Sequence, residues 1–284
     1  MVTVKSSNFY TEHALKSFFK YTKLNDDDEF ILIDNDNCKL DIFSSFAKVK
    51  ILKNLKPLNF AENVNQGIDI AIKNKKNLFF LTNDIIFTKG WVDPLLLKNK
   101  SISIPSNNQI FNYQSVLGDL KLKTTMSLND FNENYNALEE VVEKHKKKFK
   151  KGQQFQTLLM PFFCFKIPYE ILNEIGHFDI SYGTGGGEDV DYRIRCSLKN
   201  YEVNFILDSY LLHFHGKSTW AIETEEQTKK RNEMYIKIFL KKWGSEMNQI
   251  FIIRESFSHI IDEKNLQNIF KEGKFGEIIR KIIL

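Results

Sequence analysis

Between residues 2 and 84 the chain alternates short apolar runs with amphipathic stretches, and this alternation restricts the fold more than any other feature of the sequence. The runs "VTV", "EFILID", "KVKIL" and "NLFFLTND" are rich in β-branched and aromatic residues, and helical patterns lie among them at about residues 12–21 and 62–73. Strands separated by helices of this length form βαβ units and a mainly parallel sheet, because a parallel neighbour requires a long crossover. Two runs, "FILID" and "LFFLTND", end in acids. Ligands of open α/β sheets bind outside the carboxyl ends of the strands, so Asp34, Asp36 and Asp84 are expected to project into one crevice.

With 284 residues, 42% of them hydrophobic, the chain can bury one large α/β domain or a medium domain with an appendage. A net charge of +4 demands no nucleic-acid partner. Cys38, Cys164 and Cys196 are odd in number and lack paired spacing, which fits reduced thiols in a cytoplasmic compartment. "MVTVKSSNFY" moves straight into a strand pattern, and no window approaches the roughly 18 apolar residues of a membrane span. The expectation is a cytoplasmic protein, soluble or peripheral at a membrane.

Residues 101–156 loosen into polar, Asn-rich sequence with a helix over "NALEEVVEKHKKKFKK", read as an insertion that shapes a substrate pocket. Its lysine run reads as a solvated helix face. Strand pattern resumes at "LLMPFFCFKI", and the helix "PYEILNEIG" carries Pro168 and Gly176 at the positions that start and stop helices. Past "LLHFHGKSTW" the pattern is helical. "TEEQTKKRNEMYIKIFLKKWG" closes on Gly244, and the last helix places Phe275, Ile278, Ile279, Ile282 and Ile283 at helical spacing, suited to packing on the body or on a second copy in a homo-oligomer, and less so to a membrane surface. This gives a domain over 1–220, with 101–156 inserted, and a helical extension over 221–284.

The segment "GTGGGEDVDYRIR" sets three consecutive glycines before acids that open a helix. Glycines permit positive φ and let backbone approach a ligand, while carboxylates in the first helical turn are favoured by the helix dipole. The plainer alternative is a glycine hinge with a capping box. Arg195 follows Asp191 by one helical turn, where an ion pair forms. In "HFHG", strand alternation places His213 and His215 on one face, as a metal pair or as structural histidines. "DNDN" has a turn alternative, and "NFAENVNQG" reads equally as a helix start capped by Asn63 or Asn65. No Ser-His-Asp or Cys-His arrangement and no phosphate-binding P-loop stands out.

Four segments in order, "ILIDNDN", "NFAENVNQGIDIA", "FFLTNDIIFTKGW" and "IGHFDISYGTGGGEDVDYRIR" with the trailing "HFHG", resemble the GT-A-fold, family 2 type inverting glycosyltransferases over roughly residues 2–220. The resemblance implies a Rossmann-like α/β sheet flanked by helices, with the helical extension outside it. It implies that Asp34 and Asp36 grip the base and ribose of a nucleotide-sugar, a UDP-sugar being the expected donor, with Asn65 and Asn83 also on the nucleotide. Asn59 stands where the family has glycine. "LTND" occupies the place of the Asp-x-Asp motif with Thr82 for the first acid, so Asp84 alone carries over as a ligand of Mn²⁺ or Mg²⁺, joined by His213 or, second, His215. Gly186, Gly187 and Glu188 would hold the acceptor, a glycan, lipid-linked or protein hydroxyl, and Asp189 would be the general base. One alternative is a catalytically silent carbohydrate-binding or scaffold protein, favoured by Thr82. Another is a sugar nucleotidyltransferase, disfavoured because "VKSSNFYTEHAL" lacks a glycine-rich loop.

Overall fold

A computed structural model describes residues 1–38, 43, 46, 48–108, 131, 134–157, 160–217, 223–253, 268, 272 and 274–283. Strands β1 (Val2–Thr3), β2 (Phe30–Asp34) and β3 (Val49–Lys53) form a parallel sheet in that order, with helix α1 (Asn8–Tyr21) as the first crossover. In-register pairing of Thr3 with Asp34 and of Asp34 with Lys53 makes the three strands end together, which sets Asp34 on the sheet's carboxyl edge. A second sheet contains β4 (Leu78–Leu81), β5 (Ile85–Phe87), β6 (Ser101–Asn107), β7 (Gln154–Gln156), β8 (Cys164–Ile167) and β9 (Glu202–His213), in the order β4-β8-β6-β9-β5 with β7 also on β9. Here β6 and β9 run parallel and the other pairs antiparallel. The α/β expectation holds, with parallel pairing among β1, β2 and β3 and between β6 and β9.

Strand β6 corrects the reading of 101–156. Its seven residues are all buried between β8 and β9, so the stretch opens with a core strand. "SISIPSN" hid it because serines occupy three of the seven positions and Pro105 lacks the N–H that a central strand donates. The chain accommodates the proline with a shift of register between Pro105 and Ser106. The lysines of the basic run are mostly solvated, as read, but the histidine among them is not. The run ends helix α4 (Tyr135–Lys146), and while Lys144, Lys147 and Lys148 are exposed, His145 is buried with Nε2 2.6 Å from the Leu207 carbonyl. Burial pushes that imidazole down to about 4, so it is neutral at physiological pH.

Helix α2 (Phe60–Lys73) starts earlier than its apolar pattern suggests. Asn59 is its cap, in a capping box where Asn59 Oδ1 accepts from Glu62 N and Glu62 Oε2 accepts from Asn59 N, both at 2.8 Å. The cap is therefore neither Asn63 nor Asn65. Helix α3 (Asp93–Leu96) is short; α5 (Tyr169–Ile175) begins after Pro168 and stops at Gly176 as the sequence indicates. Helix α6 (Glu188–Leu198) follows the glycines, and α7 (Glu225–Asn248) is broken at Gly244, φ 84° and ψ 177°.

The main core joins Leu15 and Phe18 of α1 to Leu32, Phe80, Phe165 and Leu211 of the sheets. A second core lies on the other side of α6. Val190 and Ile194 meet Phe239 and Met247 of α7 and Phe275, Ile278 and Ile279 of helix α8 (Phe275–Ile283). Those last three side chains are fully buried, so α8 packs against the body of its own chain. At about 1.5–3 kcal/mol for each large apolar side chain buried, this contact fixes the C-terminal helices firmly on α6.

Candidate active site

Asp84 follows β4 and precedes β5, and β5 pairs with the end of β9 so that Ile85 lies opposite His213. The Phe214 N–H donates to the Asp84 carbonyl at 2.9 Å, closing the junction. The geometry leaves Asp84 Oδ1 3.5 Å from His213 Nε2, both side chains nearly inaccessible. Burial pushes the Asp84 carboxyl up, but His213 and the Lys217 N–H outweigh it and hold the group below the usual carboxylate range. Oδ2 accepts from Lys217 N at 3.2 Å, whereas Oδ1 makes no hydrogen bond of ordinary geometry. An anionic oxygen withdrawn from water, with only an imidazole 3.5 Å away, is costly unless a cation shares it.

The His213 ring stacks on Phe163, centroids 5.1 Å apart. His215 departs from the strand reading: β9 ends at His213, and His215 turns with φ 54°. The two rings nevertheless stay 5.6 Å apart. Desolvation and the neighbouring His213 lower the His215 pKa. Thr82, at the first motif position, donates its hydroxyl to the Phe163 carbonyl at 3.1 Å. The Asn83 amide is committed elsewhere, donating to Ser7 Oγ at 2.6 Å and Thr11 Oγ1 at 2.9 Å, where it anchors α1.

At the end of β2, Asp34 Oδ1 accepts from Cys38 N at 2.9 Å and Asp36 Oδ1 accepts from Lys5 N at 2.7 Å. Asp34 Oδ2 is buried without a hydrogen-bond partner. Ligand atoms of Asp34, Asp36 and Cys38 lie within 4.8 Å of one another. Burial first, then Asp36 and Asp34, pushes the Cys38 thiol up to about 12, so it is a neutral donor here. The 3₁₀ turn Lys5–Ser7 joins the two clusters, since Lys5 binds Asp36 and Ser7 binds Asn83, the neighbour of Asp84.

Beneath Asp34 the motif reading overlooked a network of amides. Asn54 Nδ2 donates to Asn35 Oδ1 and Asn63 Oδ1, both at 2.8 Å, and Asn54 N donates to the Asp34 carbonyl. The available signal was an asparagine directly following each of two adjacent parallel strands. Asn65 lies apart from these groups: its amide makes a two-way bond with the backbone of Phe178, at 2.8 and 2.9 Å, tying α2 to the approach of the glycine loop.

In that loop Gly185, Gly186 and Gly187 have φ of 114°, 108° and 89°, a region L side chains rarely enter. The close approach they allow is made by protein: a Cβ on Gly186 would lie 2.6 Å from the Tyr235 ring, and one on Gly187 2.9 Å from Tyr182. Gly187 caps α6 without a side-chain bond, so the loop is no capping box. Glu188 is buried. Desolvation, then the adjacent Asp189, pushes it up to about 8. Asp189 is half-buried and accepts from Val190 N at 2.8 Å. The expected Asp191–Arg195 ion pair is present at 2.9 Å, and Asp191 also accepts from Trp243 Nε1 at 2.8 Å and Lys242 Nζ at 2.7 Å.

No protein-family model matches the sequence, and no curated protein matches it. Solved structures do. GalNAc-T7 with UDP, GalNAc and Mn²⁺ superposes with a TM-score of 0.56 at 14% identity, over 94% of this chain and 52% of that one. S. aureus TarS 1–349 superposes at 0.51 and 13% identity, over 98% and 79%. The mannosyltransferase PcManGT from Pyrobaculum calidifontis, in complex with GDP-Man and Mn²⁺, does so at 0.50 and 11%, over 99% and 71%.

The fold is GT-A.

The chain spans about half the length of GalNAc-T7. On this GT-A frame the structure gathers the predicted residues into three groups: Asp34 with Asp36, Asp84 with His213 and His215, and Glu188 with Asp189. The first two sit at strand ends and share the Lys5–Ser7 turn; the third opens α6. A hard divalent cation requires oxygen ligands, and the uncommitted Asp84 Oδ1 beside an imidazole fits one. Among the described residues, no helix is long and apolar enough to cross a membrane.

Proposed function

We propose that this GT-A chain is a glycosyltransferase that moves a sugar from a nucleotide-sugar, a UDP-sugar in the first instance, to an acceptor hydroxyl with inversion. The observation that carries the reading is the buried, anionic Asp84, whose Oδ1 faces His213 Nε2 at 3.5 Å and makes no hydrogen bond of ordinary geometry, at the strand end of a fold shared with structures that hold nucleotides and Mn²⁺. Asp84 and His213, with His215 beside them, would hold Mn²⁺ or Mg²⁺. The ion, when bound, supplies counter-charge to the departing nucleoside diphosphate.

Asp34 and Asp36 accept hydrogen bonds from base and ribose; the unpartnered Asp34 Oδ2 has that capacity to spare. The acceptor sits at the N-terminus of α6. Glu188, neutral below about pH 8, donates a hydrogen bond to the acceptor, while Asp189, placed where the helix dipole favours an anion, takes the proton of the attacking hydroxyl. Two adjacent carboxyls thus divide into a donor and a base because burial keeps one of them uncharged. The catalytic domain is assigned to 1–220 and the helical extension to 221–284.

The test is transfer and donor hydrolysis with UDP-sugars and GDP-sugars, with EDTA and after return of Mn²⁺ or Mg²⁺, repeated with Asp84→Ala, His213→Ala and His215→Ala. Metal-dependent release of nucleotide, lost in Asp84→Ala, is the expected result. Full activity in chelator refutes the metal assignment. A second reading, a silent carbohydrate-binding protein, draws on Thr82 replacing an acid and spending its hydroxyl on Phe163. It requires glycan binding with no nucleotide release from any donor.

A further inference from the structure

The glycine loop and α6 are held by residues that come from far along the chain. Positive φ at Gly183, Gly185, Gly186 and Gly187 leaves this loop with little conformational preference of its own, since glycine enters that region without steric selection. Its constraint comes from α7. Met234 Cε lies 2.6 Å from where a Cβ on Gly183 would stand, and the Tyr235 ring covers Gly186 and Gly187. Lys242 Nζ bridges Asp179 Oδ2 at 2.6 Å and Asp191 Oδ1 at 2.7 Å, one carboxylate on each side of the loop. Trp243 Nε1 adds a bond to Asp191 at 2.8 Å. The Asp191 side chain is fully inaccessible, and α7 breaks at Gly244, directly after these two donors.

We propose that the Met234–Trp243 stretch of α7 is a positioning element of the acceptor site, in which Lys242 and Trp243, through Asp179 and Asp191, set the presentation of Glu188 and Asp189. The inference rests on the glycosyl-transfer reading above. Lys242 and Trp243 are positioning residues: they act through Asp191, one helical turn beyond Glu188, and reach no reacting atom themselves. A buried carboxylate with three charged or N–H donors has one low-energy placement, and α6 turns with it. If one donor is removed, the loop samples other arrangements, and a base displaced by about 1 Å costs up to ~100-fold in rate.

The experiment compares wild type with Trp243→Phe, which keeps an aromatic ring and loses the N–H, with Lys242→Met, and with Lys242→Arg as the rescue. Three readouts are needed: affinity for UDP with Mn²⁺ by titration, steady-state transfer or donor hydrolysis, and amide hydrogen exchange along the chain. The expected result is unchanged UDP affinity and donor KM, kcat lowered about 10- to 100-fold, recovery in Lys242→Arg, and faster exchange confined to residues 183–191. Unchanged kcat and unchanged loop exchange in both Trp243→Phe and Lys242→Met would overturn the proposal, as would a loss spread equally over UDP affinity and exchange in β4 and β9. Should Lys242→Met fail to fold, Trp243→Phe decides. If wild type turns over no donor, the glycosyl-transfer reading fails, and the exchange comparison still shows whether α7 orders the loop.

Discussion

The two walls of the site are built in opposite ways. On the proposed donor side, Asp34, Asp36 and Asp84 stand at the ends of strands, and their partners are mostly backbone groups close to the sheet edge: Cys38 N, Lys5 N, Lys217 N. On the proposed acceptor side, Glu188 and Asp189 follow four glycines at positive φ, and the loop and α6 are held by Tyr235, Lys242 and Trp243, which arrive through a helix packed on α6. A strand end positions a carboxylate through the ladder it belongs to; a glycine loop needs an outside template. The donor wall should therefore tolerate loss of the C-terminal helix contacts, and the acceptor wall should not.

The sharpest test of that contrast is Asp189→Asn. It preserves volume and removes the proton acceptor, so kcat should fall about 10²- to 10⁴-fold with UDP affinity unchanged. Retention of more than about a tenth of wild-type turnover removes Asp189 from the role of base. On the donor wall, Asp36→Ala should do the reverse, raising donor KM about tenfold, equivalent to ~1.4 kcal/mol, while saturated kcat stays near wild type. A collapsed kcat with unchanged KM would place Asp36 in the chemistry.

Stability should separate the walls too. Gly186→Ala puts a Cβ 2.6 Å from the Tyr235 ring at φ 108°, a strained position, and should cost about 1–3 kcal/mol in chemical denaturation. Tyr235→Ala in the same chain should recover part of the loss, because it relieves the clash and leaves the strain. Recovery to the full wild-type value, or none, would show that one of these two costs is absent.

The remaining test is a pH dependence. Glu188 has its folded pKa raised to about 8, so the folded state holds a proton that the unfolded state releases above its own, ordinary carboxyl pKa. Stability from this group is present below that ordinary value and is lost as pH rises to about 8. The melting temperature of Glu188→Gln relative to wild type should thus climb between about pH 5 and pH 9. A difference independent of pH would mean that Glu188 titrates normally.

The placement of the acids assigned to the proposed donor wall was legible in the sequence because period and position coincide there. "FILID" and "LFFLTND" announce buried strands, and an acid at the end of each marks the edge where a crevice opens. The Asp191–Arg195 pair and the stop at Gly244 were equally local, set by helical spacing and by glycine. Other local signals misled. Asn63 and Asn65 were read as the cap of α2, whereas the cap is Asn59, whose side chain reaches Glu62 N. Strand β6 escaped notice because Ser and Pro weaken the apolar pattern that a buried strand otherwise shows.

By itself the sequence determined the alternation of strands and helices, the acids at the strand ends and the glycines before α6, because each depends on neighbours within one or two turns of chain. Tertiary structure alone decided what those features touch. It turned Asn83 toward Ser7 and Thr11, set His213 against Asp84 through the pairing of β5 with β9, and laid Tyr235, Lys242 and Trp243 on the glycine loop. Those contacts join residues 48 or more positions apart. No sequence periodicity encodes them, and they form when burying the apolar faces of α6, α7 and α8 together outweighs the entropy of closing so long a loop.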